Sequence, residues 1–511
     1  MIKFTAKLTK DSRLLVLALL LGFTVIRLIL AVTWPAGIDE SYVIAVSRQW
    51  SLSYFDHPPL TFWISRSIWE LFGSNNIALV RLPFVLMGTA SALLIYRLTE
   101  KAYGTTAGLW ALAWFSIAPF FLLSAGHFVV PDGPLNLALL ITISLLLPGL
   151  LNPSNPIPIG RTMVAGLVYA VALASKYQAL ALVLSLAGFH FANRHARERL
   201  IGNMPRTGSR KRALIFLVCS LLGLLPVVTW NSQHDWISFG FQAGRGVSEG
   251  LSIQPLNFVK TLGGQLAYLL PITWLVIIVA ALKGIIKPNN RADSLFGWLT
   301  AVQPICFLGI SLISHNSLPH WSMSGFLFGF PLMGAWTAEQ LQSREKLITR
   351  TWLALAAVMC SAAIAVGMQF NTALFTRWWA SPTLALDSNW QLLDWTTLLA
   401  VKKELTHPTC VVTRSWQVGA KVGYILGNNV SILPLTDPRH FQFIPRRHPC
   451  QMLAIEPAIP GKIKSTTENF LQLLAEKGFQ ASGPMQRITQ ANAGYPRIEL
   501  LIIPVHQQHA T

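Results

Sequence analysis

Apolar residues in this chain gather into long runs parted by short polar segments, and that rhythm predicts most of the architecture. Runs of spanning length fall near 14–34, 78–96, 106–124, 133–150, 162–176, 178–192, 213–230, 261–282, 294–313, 321–339 and 351–369. A helix of about 20 apolar residues crosses roughly 30 Å of hydrocarbon, so the pattern predicts about eleven transmembrane helices. The fifth and sixth runs are short and are divided only around Lys176. Between the first two runs, Ser41 to Trp50 and Leu60 to Phe72 show apolar residues at helical spacing. Two helices lying in the membrane surface are predicted there, with Trp50, Trp63 and Trp69 as interfacial anchors. After residue 370 the rhythm shortens. Amphipathic helices are predicted at Trp390–Leu405, 417–426 and Thr466–Lys477, with strands at Val411–Thr413, Val430–Leu433 and Ile498–Val505, which suggests a small α/β domain. The fold class expected is an all-α polytopic membrane bundle over 1–369 with a C-terminal extracytoplasmic α/β domain over 370–511.

Composition agrees. Hydrophobic residues make up 52% and charged residues 12%, with a mean hydropathy of +0.48. A soluble globular chain carries roughly 25% charged residues. The net charge of +19 comes from 40 Lys and Arg against 21 Asp and Glu. These cations sit in short loops, at Arg97/Lys101, Arg161, Arg194 to Arg212, Lys283/Lys287/Arg291 and Arg344/Lys346/Arg350. Alternating the spans from a cytoplasmic N-terminus puts all of them on one side, as the positive-inside rule requires. The charge is therefore that of a membrane protein facing anionic lipid, and a nucleic-acid partner is not expected. Lys3, Lys7, Lys10 and Arg13 precede the first run, and no small-residue cleavage site precedes Asp39, so the run reads as a retained helix. The same alternation places 35–77, 124–132, 231–260, 314–320 and 370–511 on the outer face. Cys219, Cys306 and Cys360 fall in spans. Cys410 and Cys450 fall in the outer domain, where an oxidising compartment permits a disulfide whose geometry the sequence leaves open.

Carboxylates are scarce, yet Asp39, Glu40, Asp56 and Glu70 cluster beside the first span. Ionisable groups next to hydrocarbon are costly, so the cluster reads as a functional site. Asp39 can take a proton from an incoming hydroxyl, or can cap the following helix. In Asp56-His57-Pro58-Pro59-Leu60 two prolines hold the preceding pair extended, either presenting both side chains to a ligand or opening a helix. Gly126-His127 to Asp132-Gly133 lies at an outer mouth, where Asp132 can cap a helix, bind a metal or meet a sugar hydroxyl. Lys176 can snorkel to head groups or hold a phosphate as a point charge. His57, His127, His234, His315 and His320 all fall on the outer side beside Asp39, Asp56, Asp132 and Asp235. That mixture suits a loosely held divalent cation bridging a phosphate, whereas the absence of a paired His-Glu-x-x-His spacing argues against a zinc site. No Gly-rich phosphate loop or Gly-x-Ser-x-Gly element occurs, so no nucleotide cofactor and no serine hydrolase is expected. An activated donor would arrive through the lipid phase.

Gly37-Ile38-Asp39-Glu40-Ser41, Tyr54 to Leu60, Phe72-Gly73 and Arg81-Leu82-Pro83 resemble the polyprenyl-phosphate-sugar-dependent glycosyltransferases of the GT-C fold. These include the bacterial branch of the protein mannosyltransferases and the lipid A aminoarabinose transferases. The resemblance is most specific over about residues 34–135. It extends more weakly through Lys176 and Leu318-Pro319-His320-Trp321, and in the outer domain to Asp387-Ser388-Asn389-Trp390. It implies Asp39 as catalytic carboxylate, His57 and Lys176 toward the donor phosphate, and Asp56 and Asp132 as acidic positions that can hold a divalent metal. Glu40, His127 and His320 would line the cavity for the acceptor. His57 stands where aminoarabinose transferases have Lys, and Tyr42 where they have Arg, which argues against aminoarabinose as the sugar.

The reaction implied is one in-line displacement on a polyprenyl-phosphate-linked sugar, with inversion, to a lipid A, other lipid or protein hydroxyl. A phosphate leaving group needs no strong general acid, unlike a glycosidase. A transporter or flippase, or an oligosaccharide ligase, is the rival reading. A transporter would show repeat symmetry and polar groups near mid-bilayer, and here they gather at one face.

Overall fold

The computed structural model describes residues 10–193, 207–246, 252–314, 317–374, 389–405, 407–446, 449–459, 461–492 and 495–508. His315, the basic run at 194–199 and Asp387-Ser388 lie outside the described residues. Two compact units make up the chain. One comprises Met1–Ile29, Leu52–Thr61 and Arg81–Cys360, the other Leu30–Ser51, Phe62–Val80 and Ser361–Thr511.

The first unit is a helical bundle. Among the described residues six helices of the chain are long and apolar enough to cross a membrane unaided: Ser12–Thr33, Ile77–Tyr103, Asp132–Leu151, Arg210–Ser232, Arg291–Ser311 and Gly329–Thr372. A seventh candidate is the pair Pro255–Leu269 and Pro271–Ile286, bent by 104°. The expected span 261–282 is thus broken. Pro271 has no N–H to continue the ladder and drives the preceding residue out of helical geometry, and Leu270 sits at φ 68°. The expected spans 321–339 and 351–369 share one long helix, Gly329–Thr372, interrupted where Arg344 leaves helical geometry. Thr105–Ile117, Ile159–Ser175 and Tyr177–Ala192 are shorter apolar helices. The core of this unit runs through Leu112, Phe121, Leu140, Phe296, Phe326 and Met333, all essentially inaccessible.

Two glycines set how closely the segment before Asp132 is gripped. A π-helical turn, Phe120–Ser124, leads into Gly126, where a Cβ would stand 2.3 Å from the Phe121 carbonyl and 2.8 Å from Arg27 Nε. At Gly88 a Cβ would stand 2.8 Å from the Gly126 carbonyl. Side chains at either position would drive backbone from backbone, moving the loop that ends at Asp132.

The second unit contains the small sheet. Strands β1 (Thr409–Thr413), β2 (Val430–Pro434), β3 (Gln451–Ala458), β4 (Phe479–Ala481), β5 (Gln486–Asn492) and β6 (Tyr495–Gln507) follow one another, with helices Trp416–Leu426 and Ile463–Glu476 between them. β1 pairs in parallel with β2 and β3; β6 pairs antiparallel with β3, β4 and β5. Val412, Ala454, Phe470, Leu474 and Ile503 form its core. The expected helix Trp390–Leu405 is instead a short turn at Asn389–Leu392 and a helix at Leu398–Glu404. Cys410 and Cys450 form a disulfide, with Cα atoms 5.7 Å apart, because β1 and β3 run side by side with Thr409 opposite Gln451.

Within this unit the helix Ile38–Ser47 is bound to the helix Trp416–Leu426. Arg48 donates to the carbonyls of Gly423 and Tyr424, and Lys421 donates to those of Ala36 and Leu393. Tyr42, 3% exposed, meets the rings of Phe62, Trp416 and Phe441 edge-on at 5.5–5.9 Å. An Arg at that position would have to bury its charge among aromatics.

Glu456 on β3 accepts from Arg414 Nε at 2.6 Å, yet burial pushes its pKa up to about 7 against the guanidinium's opposing pull. A carboxyl that holds its proton more tightly folded than unfolded stabilises the fold at low pH. That contribution is lost as pH rises from about 4.5 to about 7. Folding stability, followed by thermal melting, should therefore fall across this window by an amount on the order of 2–3 kcal/mol, and Glu456→Gln should flatten the dependence. An unchanged pH slope in Glu456→Gln would contradict the assignment.

Candidate active site

The bundle unit assembles a polar centre from five stretches far apart in sequence. Asp132 opens the helix Asp132–Leu151 just after Pro131. Lys176 follows the helix Ile159–Ser175 in an extended conformation, φ −159°, before the turn Tyr177–Leu180 begins. That one-residue break turns the lysine inward. Its Nζ donates to both Asp132 carboxylate oxygens, at 3.0 and 2.9 Å, with both residues 5% exposed or less. The lysine is therefore ion-paired, and does not snorkel.

Asp56 and His57 form the second element. Asp56 Oδ2 lies 2.7 Å from His57 Nδ1, and the Asp56 carbonyl accepts from Gln242 Nε2 at 2.5 Å. Ser238 Oγ donates to the Tyr54 carbonyl at 3.3 Å, and Phe55 packs on Phe241 at 4.5 Å. The helix Ile237–Gly246 thus fixes the segment ahead of Pro58-Pro59, and Tyr177 lies within electrostatic reach of Asp56.

His320, in the turn Pro319–Ser322, joins the two. Burial and then the Lys176 ammonium push its pKa down to about 3; Asp132 pulls the other way, while Arg245 and His57 add to the lowering. The imidazole is neutral at physiological pH, so it offers a hydrogen bond without a charge. Arg245, at the end of Ile237–Gly246, lies 4.9 Å over the Trp321 ring and 5.3 Å over that of Phe241. One permanent cation was overlooked in reading the sequence, and it is this one. The signal was available: an Arg in 231–260, a loop assigned to the side that the positive-inside rule keeps poor in Arg.

His57, Asp56, Asp132, Lys176 and His320 are thus brought together in one unit. His127 is not among the groups that line an opening. It is fully buried, and burial and then the Arg81 guanidinium hold its pKa well below the usual range, with Arg27 adding to this. Its place is inside the Gly126 turn. His234 stacks on Trp230 with ring centroids 4.0 Å apart, a packing role.

Asp39 and Glu40 belong to the other unit, in the first turn of Ile38–Ser47. Glu40, 1% exposed, is turned inward and accepts from the Gly37 N–H at 2.9 Å, capping its own helix. Asp39 is exposed, in the first turn of that helix.

The side chains do not fit a bound divalent cation as arranged. Both Asp132 oxygens are committed to Lys176, and among the described residues no three His, Cys, Asp or Glu groups converge as ligands.

Comparison with known proteins bears on the fold. Residues 56–230 match the family model described as dolichyl-phosphate-mannose-protein mannosyltransferase. A lipid A galacturonosyltransferase, RgtD of Rhizobium johnstonii, is 22% identical over 323 residues. That match covers 63% of this chain and 64% of the relative, a little under two thirds of its length. The crystal structure of ArnT from Cupriavidus metallidurans in the apo state superposes with a TM-score of 0.60 at 13% identity, over 95% of this chain and 97% of that one. The Archaeoglobus fulgidus oligosaccharyltransferase in complex with Zn and sulfate gives 0.51 at 12% identity, over 94% of this chain and 73% of that one. At such identities the likeness shows the fold.

Proposed function

We propose that this chain, which has the GT-C fold of the ArnT-like glycosyltransferases, moves one sugar from a polyprenyl-phosphate donor to an acceptor hydroxyl, inverting the anomeric carbon. The observation that carries the reading is the gathering of Lys176, Arg245 and His57 about neutral His320 at one end of the bundle. A phosphate monoester that leaves a sugar gains negative charge, and preorganised cations facing that oxygen stabilise the transition state more than the ground state.

The acceptor oxygen bonds to the anomeric carbon as the bond from that carbon to the phosphate oxygen breaks. The electron pair leaves on polyprenyl phosphate, opposed by Lys176 and Arg245. The family resemblance assigns the acceptor proton to Asp39, an exposed carboxylate of the other unit. Asp132 holds Lys176 until phosphate competes for it, and Asp56 holds the His57 ring. The name of the curated relative makes a hexuronate donor and a lipid A acceptor the first pair to try. Counting the bent pair as one crossing, the interrupted helix as two and each shorter apolar helix as one gives eleven crossings. On that count the N-terminus is cytoplasmic and the small sheet periplasmic in an inner membrane.

The test is sugar transfer by purified protein in nanodiscs, given labelled polyprenyl-phosphate hexose, pentose or hexuronate and lipid A. Product should form with one donor, and Arg245→Ala should slow it roughly 10²-fold with the fold intact. Labelled lipid crossing the bilayer without any glycosylated product would instead establish a transporter.

A further inference from the structure

The helix Asp132–Leu151 carries the polar centre at one end; at its other end lies a cavity of about 310 Å³. Seventeen residues separate Asp132 from Gly149. At 1.5 Å per residue that is about 26 Å, nearly a hydrocarbon thickness. The cavity therefore sits at the opposite membrane face, where the chain concentrates its Lys and Arg.

Its walls are mainly apolar, including Leu146, Leu150, Leu186 and Phe189. Its polar lining includes Arg212, Arg291 and His190, and no Asp or Glu lines it among the described residues. Both guanidiniums are oriented by backbone. Arg212 Nε donates to the Ile157 carbonyl at 2.8 Å, and Arg291 Nε donates to the Leu150 carbonyl. Arg291 also lies 4.9 Å over the Phe189 ring. A free small anion would have no use for an apolar wall, and a neutral lipid tail none for two held cations. An amphiphile with an anionic head and acyl chains satisfies both, which is the chemistry of basic pockets between membrane helices.

We infer that this cavity binds an anionic phospholipid from the leaflet on the basic side, its phosphate between Arg212 and Arg291 and an acyl chain along Leu150, Leu186 and Phe189. The site is separate from the polar centre around Lys176 and stands whether or not the transfer reaction does. A lipid held there ties the loop after Leu151 to the starts of the helices at Thr207 and Arg291, and stabilises the folded state by mass action.

Native mass spectrometry and thermal melting in detergent would test it, with dioleoylphosphatidylglycerol, dioleoylphosphatidylcholine or inorganic phosphate added singly. The native protein should retain phosphatidylglycerol preferentially and melt higher with it. Arg212→Gln/Arg291→Gln should bind it roughly tenfold more weakly or worse. Leu186→Trp fills the apolar end while sparing both arginines, and should lose the lipid as well; it carries the test if the double variant does not fold. Equal retention of both lipids, unchanged retention in Leu186→Trp, or the same stabilisation by inorganic phosphate alone would overturn the inference.

Discussion

Asp132→Ala should destabilise the protein by about 3–5 kcal/mol, the largest single-residue effect expected in the bundle. The carboxylate holds both its oxygens against a lysine ammonium that is 3% exposed. Removing one partner strands the other charge out of water, whereas removing both restores an apolar contact of similar volume. Asp132→Leu/Lys176→Met should therefore recover most of the lost stability. It should not recover transfer, because the ammonium is the group that would meet the donor phosphate. Melting temperature and transfer rate, measured on the same two variants, separate the structural from the chemical contribution. A single variant within about 1 kcal/mol of the native protein would show that the pair is not held as described. A double variant with native turnover would remove Lys176 from the mechanism.

The second large effect concerns two neighbouring carboxylates that the structure treats differently. Asp39→Asn should lower turnover by about 10²–10⁴-fold while leaving melting nearly unchanged, since an amide keeps the shape of the exposed side chain and cannot take a proton. Glu40→Ala should do the reverse. Loss of the bond to Gly37 N–H costs about 1 kcal/mol of helix stability, while a chemical step that does not use Glu40 proceeds. Donor KM in Asp39→Asn should stay near the native value, because the base acts on the acceptor. Full transfer by Asp39→Asn would sink the assignment of the base, and a turnover loss in Glu40→Ala as deep as in Asp39→Asn would mean that the two act as one unit.

Much of this was legible in the chain itself. Apolar runs of spanning length, cations concentrated in alternate loops and the change of rhythm after residue 370 point to a membrane bundle with an α/β appendage. These signals are local, since desolvating a backbone or a charge in hydrocarbon penalises every wrong placement separately. The sequence also marked Asp56, His57, Asp132, Lys176 and His320, because polar residues stand out against an apolar background.

Pairing and facing lay beyond it. Nothing in the spacing says that Lys176 closes on Asp132, 44 residues away, or that Arg245 belongs with them. The capping bond of Glu40 is one such case: a carboxylate at the third helical position can serve as a site residue or as a cap, and the structure shows it capping. The burial of His127 is another: a histidine beside a span looks accessible until Gly88 and Gly126 are seen to draw its loop into the core. β3 went unseen because Glu456 and Pro457 interrupt its apolar run, and with it went the reason that Cys410 meets Cys450. Hydropathy acts residue by residue and so can be read along the chain. Ion pairs, caps and close backbone contacts depend on which distant segments arrive together, and only the tertiary structure decides that.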